Sequence, residues 1–208
     1  MRRKILSLVF ITTWAFGTKI IVPDDYSGIQ DAINASTDGD TVFVEAGTYT
    51  HDEEFNFYGK SIALVGEDKE TTILDGQNND NLISIGSDGT ANASISNFTI
   101  KNGYSTEGAA ILISEVESFK IDNCIVTGNN GYASIIKVDR SDVSIVRTEI
   151  SNNICTNTSN SYGAIVTYDN GSLLLDRVTV VNNVRGGLFS YGNSDHIIRN
   201  SIFWNPDA

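Results

Sequence analysis

Ile95-Ser96-Asn97-Phe98-Thr99-Ile100-Lys101-Asn102 and Ile121-Asp122-Asn123-Cys124-Ile125-Val126-Thr127-Gly128 are two copies of one unit. The unit returns as Ile145-Val146-Arg147-Thr148-Glu149-Ile150-Ser151-Asn152 and as Leu175-Asp176-Arg177-Val178-Thr179-Val180-Val181-Asn182. A last copy reads Ile198-Arg199-Asn200-Ser201-Ile202-Phe203-Trp204-Asn205. Their first residues stand 26, 24, 30 and 23 positions apart. A period in the twenties with β-branched residues in every copy is the mark of a solenoid, whose coils bury their apolar side chains against one another. Ile, Val, Leu and Phe of the unit should therefore face a shared axis.

The third position of the unit holds Asn97, Asn123, Arg147, Arg177 and Asn200. The chain must bend there between two strands, and Asn tolerates the left-handed backbone that a tight bend needs. Asn102, Asn152, Asn182 and Asn205 mark the next corner. Stacked at the strand spacing of about 4.8 Å, such amides bond along the axis.

Outward from the repeat, each coil carries a second strand, at 109–113, 133–138, 164–168 and 188–191. Toward the N-terminus, short apolar runs bounded by Gly, Asn and Asp predict strands at 19–22, 41–44, 61–65, 71–74 and 81–85. Residues 26–34 read as a helix. Ser27 and Gln30 have capping-box spacing, and Ile29, Ala32 and Ile33 share one face. Such a helix would cover the open end of the first coil. Nothing comparable follows Trp204, so the last coil is expected to be continued by more chain or covered by a partner.

The chain has 208 residues, with 14 Lys and Arg against 26 Asp and Glu, a net charge of −12. An acidic surface repels nucleic acid and anionic membranes. Met1 to Gly17 reads as a secretory signal. Arg2, Arg3 and Lys4 precede the apolar run Ile5 to Trp14, and Ala15-Phe16-Gly17 supplies a small-residue cleavage site. The run falls short of the ~20 residues that span a bilayer. The expected mature chain is one domain, 18–208, secreted or held at the cell surface, with no transmembrane segment. Cys124 and Cys155 are out of phase in the repeat, and His51 and His196 fit no metal spacing.

Three stretches resemble the pectin-lyase-like superfamily of right-handed parallel β-helices. Val22 to Thr50 (VPDDYSGIQDAINASTDGDTVFVEAGTYT) resembles its N-terminal cap and first coil. Lys60 to Gly76 (KSIALVGEDKETTILDG) resembles its second coil, and Asn200 to Asn205 (NSIFWN) the repeat of bacterial surface β-helix proteins. The resemblance implies an all-β solenoid with a short capping helix, of a fold that hosts lyases, hydrolases, esterases and adhesins. The Gly-Tyr-Gln-Asp-Thr-Leu and Asp-Phe-Ile-Phe-Gly segments of pectin methylesterases are missing, as are Asn-Thr-Asp, Gly-His-Gly and Arg-Ile-Lys of polygalacturonases. The one Asp pair, Asp24-Asp25, falls in the cap.

The remaining candidates are looser. Arg147 with Glu149, one coil from Asp176 with Arg177, has the makings of a β-elimination site, which needs a base and a cation against a sugar carboxylate. The same residues also read as charges that neutralise one another on a solvated face. Asp75-Gly76-Gln77-Asn78-Asn79-Asp80 offers Asp75 and Asp80 to calcium. Tyr104, Tyr132, Tyr162 and Tyr191 stand near inter-coil loops, where a ring can stack on a sugar or pack the loop. The first expectation is a non-catalytic surface or extracellular module that binds polysaccharide or a neighbouring surface without a cofactor. The alternative is a pectate-lyase-like polysaccharide lyase, or behind it a pectinesterase-like hydrolase, with calcium as the possible metal.

Overall fold

The computed structural model describes residues 17–50, 54–79, 81–86, 92–157 and 162–206. The expected leader, apart from Gly17, lies outside the described residues, as do His51 and Asp80. The described residues form a parallel β-helix of stacked coils with one short helix ahead of most of them, at Ile29–Ala35. Each strand pairs in parallel with its equivalent in the coils before and after. The resulting sheets have eight strands (sheet 1, from Lys19–Val22 to His196–Arg199), seven (sheet 2, Gly47–Tyr49 to Ile202–Trp204) and six (sheet 3, Phe55–Asn56 to Leu188–Ser190). A three-stranded sheet, Tyr104–Ser105, Asn130–Gly131 and Ile154–Cys155, bridges sheets 2 and 3.

The register realises the repeat. Ile95, Ile121, Ile145, Leu175 and Ile198 are direct partners along sheet 1, and Ile100, Val126, Ile150, Val180 and Phe203 along sheet 2. All of these but Ile198 and Phe203 are fully buried. Sheet 3 adds the buried column Ile83, Ile111, Ile136 and Ile165. Each such side chain contributes about 1.5–3 kcal/mol of burial. Cys124 and Cys155 are buried free thiols, both pushed up to about 12 by burial.

The bends behave as expected at the first corner. Asn97, Asn123, Arg147, Arg177 and Asn200 all have positive φ, between 50° and 62°. At the second corner Asn102, Asn152 and Asn182 do the same, but the axial amide ladder lies one residue further on. Asn129, Asn153 and Asn183 are buried, and Asn205 joins them on the last coil instead of turning the corner. The Asn153 Oδ1 accepts from the backbone N–H and the Nδ2 of Asn129, both at 3.0 Å. Its Nδ2 donates to Val126 O and Asn183 Oδ1, both at 2.9 Å. Each amide thus satisfies backbone groups that the turn would otherwise leave orphaned inside the protein.

The helix is Ile29–Ala35, shorter than the expected 26–34 at its start, with Gly28 at the N-cap and no side-chain cap. Ser27 and Gln30 form no capping box. Gln30 Nε2 instead donates to Asn56 O at 3.0 Å, while its Oε1 accepts from Asn56 N at 2.9 Å, tying the helix to sheet 3. Ile29, Ala32 and Ile33 are buried against the first coil, and Lys60 Nζ donates to the final carbonyls of Ile33 and Asn34. At the other end Ile198 and Phe203 are 48% and 37% exposed, although they occupy core positions.

Asn153→Ala orphans the Asn129 N–H and the Val126 carbonyl together, and is expected to cost about 3 kcal/mol in urea unfolding. Asn152→Ala, next to it on the exposed corner, should cost only about 1–2 kcal/mol for the left-handed backbone.

Candidate functional site

The charged constellation forms the corner between sheets 1 and 2. Parallel register stacks Ser96, Asp122, Val146, Asp176 and Arg199 in one column. The left-handed Asn97, Asn123, Arg147, Arg177 and Asn200 make the next column. Arg147 and Arg177 are therefore neighbours along the axis, as expected from their spacing. The side chains pair differently from the expectation. Arg147 Nη2 reaches back one coil to Asp122, at 2.6 Å, and not to Glu149. Lys120 Nζ holds the same carboxylate at 2.7 Å. Asp176 lies between Arg199 at 3.2 Å, Arg177 at 3.5 Å and the Asn200 amide at 3.0 Å.

This geometry explains why two Arg residues occupy a backbone that suits Asn. A left-handed residue with a Cβ costs about 1–2 kcal/mol, and here each guanidinium meets a carboxylate beside the bend. The Asn200 hydrogen bond, then Arg199 and Arg177, hold the Asp176 carboxyl below its ordinary range against some desolvation. A carboxylate so stabilised is a counter-ion and a poor proton acceptor. Glu149 is exposed on its strand, with no ion-pair partner among the described residues. Asp122, which sequence reading passed over, is the carboxylate that organises the corner.

The loop at Asp75 is likewise self-satisfied. Asp75 Oδ1 accepts from Gln77 N at 3.0 Å and from Asn102 Nδ2 at 2.9 Å, and Lys101 approaches at 3.5 Å. Among the described residues no group of three or more His, Cys, Asp or Glu side chains is placed to hold a metal ion. His196 points into the last coil, its Nε2 3.2 Å from Thr167 Oγ1.

The tyrosines converge. Outward residues of sheet 3 stack in columns as the inward ones do, which sets Phe189 on Val166 and Tyr191 on Tyr168. The Tyr168 and Tyr191 rings lie 4.7 Å apart and 7° from parallel. Phe189 packs edge-on to Tyr191 at 4.7 Å, and Tyr162 tilts against it at 6.5 Å. Lys137 Nζ sits 5.1 Å from the Tyr168 ring centroid and is ion-paired with Glu107. Tyr104 and Tyr132, on the bridging strands and the loop after them, are 52% and 54% exposed. Burial first, then the negative influence of Tyr191, Tyr162, Glu107 and Asp139, pushes the Tyr168 hydroxyl up to about 12. It stays a neutral donor through physiological pH.

Tyr162 and Tyr191 were legible as loop aromatics. Tyr168, Phe189, Lys137 and Glu107 were not, because only the register of sheet 3 reveals that they share a face. A depression of about 310 Å³ lies on sheet 1 over Leu174 and Ile197, rimmed by Lys120, Asp142 and Ser172. Its floor is aliphatic, in contrast to the ring-bearing surface of sheet 3.

Over residues 16–207 the chain matches the family described as rhamnogalacturonase A/epimerase, pectate lyase-like. It belongs to that family. No curated protein and no solved structure gives a match. For a pectate lyase-like β-helix the stacked parallel sheets are the expected frame, and the family supports a carbohydrate-related function.

Two outcomes test the corner. Arg147→Asn places at position 147 the residue found at 97, 123 and 200, and should leave unfolding free energy within about 1 kcal/mol of the parent, because Lys120 still pairs with the buried Asp122 and the backbone strain at 147 is relieved. A group with a depressed carboxyl, such as Asp176, stabilises the fold above its unfolded pKa and loses that contribution as pH falls through the folded one. The urea midpoint should therefore drop below about pH 4, and Asp176→Asn should flatten that drop.

Proposed function

We propose that this protein is an exported, non-catalytic β-helix module that binds polysaccharide on the tyrosine-bearing face of sheet 3. The observation that carries this reading is the cluster of Tyr162, Tyr168, Phe189 and Tyr191 on adjacent coils, with exposed Tyr104 and Tyr132 nearby. Aromatic rings give the C–H face of a pyranose a flat apolar contact, and phenolic hydroxyls give it hydrogen bonds. Successive coils repeat such positions at about 4.8 Å, so a polymer can contact several of them at once. Family membership favours a glycan as the occupant. Export rests on the basic, apolar and small-residue order of Met1 to Gly17.

A polysaccharide lyase is the second reading. It draws on the stacked Arg147 and Arg177 with Glu149 beside them, which has no ion-pair partner among the described residues. Against it stand the ion pairs that occupy Asp122 and Asp176. Incubation with polygalacturonate or alginate and calcium, followed by ultraviolet absorbance, should give no unsaturated product. Product formation that Arg147→Ala abolishes would establish the lyase.

For the binding reading, affinity electrophoresis through gels cast with soluble polysaccharides should retard the protein. Tyr162→Ala with Tyr132→Ala should weaken retardation by about tenfold, a loss of ~1.4 kcal/mol. Unchanged retardation in that double variant would remove the tyrosine face from the binding role.

A further inference from the structure

We infer that Arg185 makes the tyrosine face selective for a glycan that carries an oxyanion, a carboxylate or a sulfate ester, and receives that group beside Tyr162. The inference rests on the binding role proposed above and names the residue and the ligand class that set its specificity.

Four described arginines have a left-handed backbone: Arg140, Arg147, Arg177 and Arg185, with φ of 45°, 50°, 59° and 77°. That conformation is costly for a residue with a Cβ, and Asn makes such bends elsewhere in the chain more easily. The first three have an internal reason to be Arg. Arg140 meets Asp139 at 3.2 Å, Arg147 meets Asp122 at 2.6 Å and Arg177 meets Asp176 at 3.5 Å. Arg185 differs. Its side chain is exposed and makes no hydrogen bond or ion pair among the described residues. An Arg kept on a strained bend without a partner inside the fold points to a partner outside it.

The register of sheet 3 places this residue. Ile165 pairs with Leu188, and the Ala164 N–H donates to Gly186 O at 3.1 Å. Three positions back, the same register sets Arg185 on Tyr162, about 4.8 Å along the axis. Tyr162 is half-buried, with its hydroxyl hydrogen-bonded to that of Tyr191 and its ring tilted against the Tyr191 ring. The other cations bordering the rings are ion-paired, Lys137 with Glu107 and Arg140 with Glu115 and Asp139. Among the described residues, Arg185 is therefore the cation that this face offers to a ligand. A pyranose whose C–H face lies on Tyr162 directs its substituents sideways, and one side is occupied by Arg185. The planar guanidinium fork matches two oxygens of a carboxylate or sulfate, in charge-assisted bonds stronger than those to a hydroxyl. The ring holds the sugar, and Arg185 selects its substituent.

The test is affinity electrophoresis of the full chain in gels cast with a neutral galactan, polygalacturonate or a sulfated galactan. Salt is held at about 0.1 M, where the field of the net charge decays within about 10 Å. The expected result is retardation by at least one anionic polymer about tenfold stronger than by the neutral one. The polymer that shows it identifies the group as carboxylate or sulfate. Arg185→Asn should remove that excess and leave retardation by the neutral polymer unchanged. Arg185→Lys, a point charge in place of a fork, should restore only part of it. The urea midpoint of Arg185→Asn should equal or exceed that of the parent, since no internal contact is lost and the bend is relieved. A fall in that midpoint would reveal an internal partner and overturn the inference. Asp207 lies outside the described residues, and an anionic excess that appears only in Asp207→Asn overturns it as well. Equal retardation by neutral and anionic polymers, lost in Tyr162→Ala/Tyr132→Ala, overturns the oxyanion inference and leaves the binding role standing. An anionic excess that responds to Arg147→Asn/Arg177→Asn and not to Arg185→Asn overturns it in favour of the corner. Retardation by no polymer overturns both.

Discussion

Everything in this molecule depends on in-register parallel stacking. Each residue lies on its equivalent in the coil below at about 4.8 Å, so every position of the repeat becomes a column. A column must tolerate its own repetition. Aliphatic side chains do so by excluding water, as along Ile95, Ile121, Ile145 and Leu175. Amides do so by donating to one neighbour and accepting from the other, as Asn129, Asn153 and Asn183 do. Rings do so by stacking, as Tyr168 and Tyr191 do. Like charges do not, and the corner column answers with opposite signs in close reach: Lys120 and Arg147 on Asp122, Arg177 and Arg199 on Asp176.

The same constraint decides what could be read from the chain. The inward columns were legible because aliphatic residues recur with the period of the coil, and the left-handed corner because Asn marks it. The buried amide ladder was missed by one residue. Gly128-Asn129, Asn152-Asn153 and Asn182-Asn183 each place a corner residue before the buried one, and nothing local tells which amide turns inward. The helix cap failed for a related reason. Gln30 has a stronger partner in the backbone of Asn56, 26 residues away in sequence, than in its own first turn.

The proposed binding face was least legible. Outward positions carry no hydrophobic signal, and the copy between Ile145 and Leu175 is longer than its neighbours by several residues, which blurs the register of sheet 3. Tyr191 reads as the last residue of a strand at 188–191 with no partner assigned, and only its backbone N–H bond to Thr167 O at 2.8 Å sets it directly over Tyr168. Asp122 was overlooked because Glu149 is nearer in sequence to Arg147. In a solenoid the closer partner is the one a full coil away, since one turn of chain returns to within a strand spacing.

Column logic also separates the two polar regions by what they leave unsatisfied. At the corner of sheets 1 and 2, cations outnumber acids, yet the left-handed backbone at Arg147 and Arg177 already has an occupant for each guanidinium in the adjoining carboxylate. That corner is locally complete. On sheet 3 Lys137 and Arg140 are ion-paired, and aromatic rings of successive coils gather on the outward face beside them. Flat apolar ring surfaces set on successive coils suit the C–H faces of a polymeric glycan, which is the basis of the proposed binding role.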